Sequence, residues 1–197
     1  MKSFIFTIVL YLKVFNVFGQ DTIAIHYFNE SKVSIAMGVG NYTSLYFNGY
    51  EYVVKNKELT FNIETVNGIQ IKKHQIGLLL GVDKWKGSLL FPLGILYKIG
   101  FTKKKHIPYF ELSSGYAFGN KGKTEYDGVE KGSYYFKGGS GFQFNLPKDF
   151  AIAIGLYYKM QNMRSSYSRI INPNEPKIAI GYNIPYHFIG LSIGMKM

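Results

Sequence analysis

Four histidines are the residues whose chemistry could make this chain an enzyme: His26, His74, His106 and His187. A histidine that takes a proton from serine, with an acidic partner, could hydrolyse or transfer an acyl group. His74 and His106 fall in short, lysine-rich turns, where we expect them to be solvated, and His26 precedes the first patterned segment. His187 is the one histidine placed where a site could form. It lies in the last strand, where alternation slips between Asn183 and Phe188, and this slip predicts a bulge at Pro185. Residue alternation, however, puts Ser192 on the inward face, so the two make a poor catalytic pair.

No other stretch offers better chemistry. Ser166, Tyr167 and Ser168 belong to the last long loop, and nothing in the sequence fixes them near His187. The chain has no cysteine, so it has neither thiol chemistry nor a disulfide framework. No metal-ligand spacing and no phosphate-binding glycine motif is visible, and GNKG at 119–122 is typical of a turn. We therefore predict a protein that is not an enzyme, with no catalytic residue, no metal site and no cofactor.

The composition favours anionic partners without specifying one. The formal net charge is +11, and the positive charges are spread over turns and loops instead of being gathered on one helix. A basic surface attracts phosphates of nucleic acid, phospholipid or lipopolysaccharide. No recognition helix, zinc-finger spacing or RNA-binding aromatic signature appears, so we predict that nucleic acid is not a partner.

The first twenty residues, MKSFIFTIVLYLKVFNVFGQ, have the pattern of a secretory signal. Lys2 gives the positive start, an apolar core runs from Phe4 to Leu12, and Val17 and Gly19 suit the two positions that a signal peptidase reads. We predict a signal peptide over residues 1–19, a single domain over residues 20–197, and export from a bacterial cytoplasm. An uncleaved membrane anchor is the alternative, although the apolar run is short for a spanning helix.

Strict alternation of large and small residues fills the rest of the chain. In DFAIAIGLYYKMQ (149–161), every second residue from Phe150 is large and apolar, whereas the residues between them are small or polar. Period-two alternation predicts β-strands, and segments of this length suit strands that cross a bilayer at a tilt. The alternating segments lie near residues 31–40, 58–71, 74–84, 87–101, 107–118, 132–146, 150–161 and 189–197.

The connections alternate in length. Those at 71–73, 102–106 and 147–149 are short, whereas 41–57, 119–131 and 162–176 are long and 83–86 is a short exception. Short turns at one end and long loops at the other are typical of outer-membrane barrels, whose long loops face outside the cell. Residues 41–57 are either a loop or an extension of a hairpin above the membrane.

The two faces of these strands predict which solvent each one meets. A soluble lipocalin-like barrel would place the large residues inside and charges outside. Here the face opposite the large residues is too small and too polar to be the exterior of a soluble protein, but it suits a narrow barrel interior. We predict an all-β fold, a closed antiparallel transmembrane β-barrel of about eight strands, with Phe150, Ile152, Ile154, Leu156 and Tyr158 in lipid. Closure is required because a sheet edge in hydrocarbon leaves backbone groups unpaired.

The same alternation places charges inside the barrel, where they must be paired or hydrated. We expect Glu111 to pair with Lys98 or Lys137, since these lie on the flanking strands. The cluster is either a proton or ion path or a polar filling of the lumen, and the narrowness of an eight-stranded barrel favours the filling. The predicted interior charges are Glu64, Lys98, Glu111, Lys137 and Lys159, with Lys196 as a further candidate.

Several stretches resemble the small outer-membrane β-barrel domain proteins of Bacteroidota. They are ETVNGIQIKKHQIGLLLGVDKWKG (64–87), FPLGILYKIGFTKKKHIPYFELSSGYAFG (91–119) and KGSYYFKGGSGFQFNL (131–146). The resemblance covers most of residues 58–161 and implies an outer-membrane location without an assigned reaction. Such barrels often end on an aromatic residue that the barrel assembly machinery reads, whereas this chain ends on Met197 with its nearest aromatic at Phe188.

We therefore expect a monomeric outer-membrane barrel with a structural or surface-interaction role. Its partners would be membrane lipid, lipopolysaccharide and the barrel assembly machinery. A lipid A-modifying acyl hydrolase or transferase and a soluble lipocalin-like binding barrel are the alternatives. The candidate contacts to lipopolysaccharide phosphates, or to an external ligand, lie in the long loops: Lys121, Lys123, Lys131, Arg164 and Arg169, with Tyr126 and Tyr167. A solvated cationic rim with no ligand is the competing interpretation.

Overall fold

The computed structural model describes residues 24–45, 51–85, 88–102, 105–119, 122–123, 129–147, 150–169 and 178–197. The predicted signal peptide therefore lies outside the described residues, as do Lys121 and Tyr126. Within the described ranges, no helix is long and apolar enough to cross a membrane.

The described chain is built of β-strands. The strands in chain order are β1 Ile25–Val39, β2 Asn41–Leu45, β3 Glu51–Lys55, β4 Leu59–Ile71, β5 His74–Trp85, β6 Ser88–Gly100, β7 His106–Gly119, β8 Gly122–Lys123, β9 Val129–Asn145, β10 Ala151–Arg169 and β11 Ile178–Lys196.

Eight of these strands close into a barrel. All pairings are antiparallel, and the order around the barrel is β1, β4, β5, β6, β7, β9, β10 and β11. The ring closes because β1 pairs with β4 on one side and with β11 on the other, while β10 pairs with both β9 and β11. The predicted closed antiparallel barrel of eight strands is confirmed.

The alternation of side chains sets the two surfaces of the barrel. On β10, Ala151, Ala153 and Tyr157 are buried inside, whereas Ile154 and Leu156 point outward with about half of their surface exposed. Successive side chains of a strand point to opposite faces, and most of the large aliphatic residues of the barrel strands lie on the outer surface.

Four strands are longer than the sequence predicted, among them β11, which begins at Ile178 instead of near residue 189. β10 continues through Arg169 and pairs with β11 down to Ile178, and β9 already begins at Val129. Much of the predicted loops 119–131 and 162–176 is therefore strand. β1 likewise begins at Ile25, so His26 lies inside the first strand and does not precede it. These segments were missed because they carry polar residues on both faces, and backbone pairing continues where alternation stops.

The predicted bulge at Pro185 is wrong. β10 and β11 stay in continuous register, with Asn162 opposite Pro185, and burial alternates without a slip from Ile184 to Gly190. The register shift lies instead between β9 and β10, at Gln161 and Met163. Alternation misled the prediction because Tyr186 and Phe188 are large residues on the inner face.

Within the region 41–57, β2 and β3 form a separate hairpin at the end with the long connections. β2 and β3 pair only with each other, in a two-stranded sheet. Asn56 holds this hairpin to the barrel, because its side-chain amide donates to the carbonyl of His187 at 2.9 Å and its backbone N–H donates to the carbonyl of Gly40 at 2.9 Å. Any Cβ on Gly38 would collide with the Asn56 side chain, so this close approach needs glycine there.

The two ends of the barrel differ in the length of their connections, and we name each end accordingly. The short-turn end carries the turns at 72–73, 101–105 and 146–150, together with Ala24 and Met197. The long-loop end carries the β2–β3 hairpin and the connections after β7 and β10.

Candidate functional site

The barrel interior holds the predicted charged residues. Glu64, Lys98, Glu111 and Lys137 are each at most 3% exposed, and the Lys159 side chain is 12% exposed. Three further charged residues join them. We call this set the interior ion-pair cluster: Glu30, Lys32, Glu64, Asp83, Lys98, Glu111, Lys137 and Lys159.

Lys32 stands at the centre of the cluster. Its Nζ lies 2.5 Å from Glu111 Oε2 and 3.7 Å from Glu30 Oε1. Glu30 also accepts from Lys98 Nζ, at 2.9 and 3.1 Å to its two oxygens. The prediction that Glu111 pairs with Lys98 or Lys137 is therefore wrong.

The remaining pairs repeat this arrangement on other strands. Lys137 Nζ lies 2.7 Å from Glu64 Oε2, and Lys159 pairs with Asp83, which also accepts from the amide of Asn62.

The four shortest of these ion pairs cross the lumen, whereas Glu30 and Lys32 lie on one strand and Asn62 and Asp83 on neighbouring strands. β1 and β7, which carry Lys32 and Glu111, are separated by three strands around the barrel, and the other pairs are separated by two or three. Lys98 stands opposite Glu111 in the register of neighbouring strands β6 and β7, yet its hydrogen bonds go to Glu30 on β1. A lysine side chain is long enough to reach the far wall of a narrow barrel, and that reach decides the partner.

Three of the lysines also lie over an aromatic ring, a cation–π arrangement that is worth more in a desolvated site. Glycines make room for these rings: a Cβ on Gly141 would stand 2.8 Å from the Tyr109 hydroxyl oxygen. The distances from Nζ to ring centroid are 4.2 Å for Lys98 and Tyr109, 4.4 Å for Lys137 and Tyr157, and 5.5 Å for Lys159 and Tyr135.

Sequence reasoning missed Glu30, Lys32 and Asp83, although a signal was present. Alternation on β1 was followed only from Val33 and on β5 only to Val82. Extending each pattern past these ends places Lys32, Glu30 and Asp83 on the inner face, where the structure has them buried.

Four lysines and four carboxylates make the interior ion-pair cluster neutral. A charge with a partner across the lumen avoids most of the cost of burial, whereas one that has lost its partner is strongly destabilising. Among the residues that the structure describes, no group of three or more histidine, cysteine or acidic side chains is placed to hold a metal ion. The interior ion-pair cluster therefore has the geometry of side chains that fill the lumen and link opposite walls of the barrel.

Aromatic side chains fill the interior at the long-loop end. Trp85 lies with its ring centroid 4.5 Å from that of Tyr186 and 6.1 Å from that of Phe188. Tyr42 of the β2–β3 hairpin covers Tyr186 at 4.5 Å. We call Tyr42, Trp85, Tyr186 and Phe188 the aromatic cap. It was not predicted, because the inner face was expected to carry only small or polar residues.

Two of the histidines, His187 and His74, lie at opposite margins of the outer surface. His187 Nδ1 is 2.5 Å from the Tyr158 hydroxyl, and the rings stack. At the short-turn end His74 Nδ1 is 2.7 Å from the Tyr97 hydroxyl, so His74 is half-buried instead of solvated as predicted. Ser192 is buried on the inner face, on the opposite side of the wall from His187.

The predicted cationic rim is described only in part. Lys131 and Arg164 are exposed and stand opposite each other on β9 and β10. Lys123 lies in β8 and Arg169 ends β10, with Ser166, Tyr167 and Ser168 just before it in the same strand. The side chains of these five residues fall outside the described part of the structure.

Comparison with known proteins shows a shared fold. No protein-family model matches the chain, and no curated protein sequence matches it either. The crystal structure of Neisserial surface protein A (NspA) is 14% identical, covers 88% of this chain and 98% of its own, and superimposes with a TM-score of 0.53. The solid-state NMR structure of outer membrane protein AlkL is 12% identical and covers 91% of this chain and 92% of its own, with a TM-score of 0.49. At these identities the NspA match shows the fold alone.

Proposed function

We propose that the chain is an integral outer-membrane β-barrel protein with a structural or surface-interaction role and no enzymatic activity. The observation that carries this proposal is the distribution of charge. The interior ion-pair cluster lies inside, whereas the outer wall is a belt of exposed Ile, Leu, Val, Phe and Met side chains. A water-soluble barrel such as a lipocalin has the reverse distribution, because a contiguous apolar surface of this size is unstable in water.

The height of the belt supports the same assignment. From Phe150, the residue before β10, to Met160 within it, the outward apolar residues span ten residue steps. At about 3.3 Å per residue and a tilt of about 40°, ten steps rise about 25 Å, which is the height of the apolar band in outer-membrane barrels.

Aromatic residues at the margins of the belt also support it. Tyr116 packs near Tyr134 and Phe118 at centroid distances of 5.4 and 4.9 Å towards the long-loop end. The His74–Tyr97 pair lies at the short-turn end. Amphipathic rings favour the boundary between hydrocarbon and headgroups. By the rule that short turns are periplasmic, the long-loop end faces outside the cell.

The proposed surface partner is lipopolysaccharide. Lys131 and Arg164 present two neighbouring cations just beyond the aromatic margin at the long-loop end, where headgroup phosphates lie. A monomeric barrel inserted by the assembly machinery is part of the proposal, as are cleavage of the signal peptide after residue 19 and an origin in Bacteroidota. No observation on His187 favours the acyl-hydrolase alternative, since Ser192 faces the interior.

The deciding experiment is fractionation of the expressed protein combined with gel migration before and after boiling. We expect the protein in the outer-membrane fraction, with the unboiled form migrating differently, because a closed barrel resists unfolding by detergent. A soluble periplasmic protein without a heat shift would contradict the proposal.

A further inference from the structure

A pocket of about 570 Å³ opens at the short-turn end of the barrel. Its wall combines inward side chains from the ends of several strands with residues of the turn at 72–73. The interior ion-pair cluster closes its inner side, since Lys98 belongs to both.

Basic side chains line the pocket. They are Lys72, Lys73, Lys98 and Lys196 together with His26, and no Asp or Glu lines it among the described residues. Glu30 neutralises Lys98. Lys196 Nζ instead donates to Gln70 Oε1 at 2.5 Å and lies 5.2 Å from the Phe28 ring centroid.

A chain of hydrogen bonds orients the amides beside Lys196. Gln70 Oε1 must face Lys196, because an ammonium group is only a donor. The same oxygen accepts from Gln75 Nε2 at 3.3 Å, which leaves Gln75 Oε1 without a partner although Gln75 is only 5% exposed. A buried acceptor left unsatisfied is costly, so the site is suited to a ligand that brings a donor.

The turn itself has an unusual residue. Lys72 adopts a left-handed backbone with φ 56°, a conformation that two-residue hairpin turns usually assign to Asn, Asp or Gly. A lysine at this position adds a cation to the pocket, but it makes the turn less stable than Asn, Asp or Gly would. An unfavourable local conformation of this kind often marks a functional position.

From these observations we propose that the short-turn mouth binds a small hydroxylated organic oxyanion. Lys196 and Lys73 contact its phosphoryl or carboxylate oxygens, and a hydroxyl of the ligand donates to Gln75 Oε1. Because four lysines line it, the pocket favours an anionic ligand over an apolar one. If the proposed orientation is right, the site faces the periplasm.

The test is an NMR titration of the full barrel in zwitterionic detergent, with ¹⁵N-glutamine as the label. The ligands are glycerol 1-phosphate for the phosphoryl group and gluconate for the carboxylate, with sodium chloride at equal ionic strength as the salt control. We expect saturable shifts of the Gln70 and Gln75 side-chain amides. Gln161, whose amide donates to Ser133 and Asn162 carbonyls away from the pocket, should not move.

Three variants separate a site from general attraction to a basic protein. Lys196→Gln should weaken binding at least about tenfold, the effect of losing one charge-assisted hydrogen bond. Gln75→Leu should weaken binding without changing the net charge. Lys84→Gln, which removes an equal charge from the exposed outer face of β5 at the long-loop end, should leave the dissociation constant unchanged.

Each outcome of the titration either supports the proposed site or overturns it. Saturation by either ligand supports the site, and the tighter ligand identifies the group. Shifts that do not saturate, that sodium chloride reproduces, or that Lys84→Gln weakens as much as Lys196→Gln would overturn it. The heat shift on gels verifies that each variant is folded, and failure of this site leaves the proposed outer-membrane role untouched.

Discussion

Three lysines inside the barrel have the same two kinds of contact. Lys98, Lys137 and Lys159 each contact a carboxylate across the lumen and an aromatic ring. The ring shields the ammonium group from water, and the carboxylate compensates its charge. These two contacts stabilise each lysine in the interior, so it does not require a water-filled channel. Alternation correctly placed these lysines and Glu64 and Glu111 on the inner face, but it contains no information on which far-wall partner each one reaches.

Removal of Lys32 tests this design. Lys32→Met leaves Glu111 without its cation in the interior, so we expect the free energy of unfolding to fall by about 3–5 kcal/mol. In Lys32→Met/Glu111→Leu no unpaired charge remains from this pair, while Glu30 keeps Lys98, and most of the loss should be recovered. Urea unfolding in lipid vesicles measures both. Additive losses in the double variant would show that the two residues do not act as a pair.

The turn between β4 and β5 was predicted at the correct position, but its backbone conformation is unusual. The sequence located a tight turn at Ile71, Lys72 and Lys73, and the structure places the strand ends Ile71 and His74 opposite each other. The left-handed conformation of Lys72 was not predictable, because lysine gives no signal for it. It follows from the two-residue connection, which must match the twist of the paired strands.

Replacement of Lys72 tests the strain in this turn. Lys72→Asn should raise the free energy of unfolding by about 0.5–1 kcal/mol, since asparagine tolerates positive φ better than lysine. Lys73→Asn is the matched control: it removes the same charge at a position without positive φ, and we expect no gain. Equal effects of the two substitutions would assign the change to charge.

Across the whole molecule, the interior is filled in three levels. The aromatic cap lies at the long-loop end, the interior ion-pair cluster follows, and the pocket opens at the short-turn end. Packed side chains make up two of the three levels in the described part of the structure, and this packing predicts that the long-loop end is closed to solvent. The alternative of a proton or ion path through the charged interior would require a break in the cap.

The single tryptophan reports on this closure. Trp85 is 2% exposed, and its indole lies within the cap. We expect iodide to quench its fluorescence weakly in the folded barrel and strongly after denaturation. Tyr186→Ala removes the ring that covers it at 4.5 Å and should increase quenching, whereas Tyr134→Ala, on the outer wall, should not. Strong quenching of the unmodified folded protein would show an open lumen.

The amino-acid sequence was enough to predict the barrel, the positions of its strands, and the inner or outer face of each residue in a clearly alternating segment. Period-two alternation is a local property: the neighbours of Ile154 in the chain suffice to place it on the outer wall. The tertiary structure alone decided the partner of Glu111, the extension of β10 to Arg169, the aromatic cap and the pocket at the short-turn end. Each of these depends on the stagger of eight strands around a closed ring, which brings residues such as Lys32 and Glu111 together across the lumen from 79 positions apart.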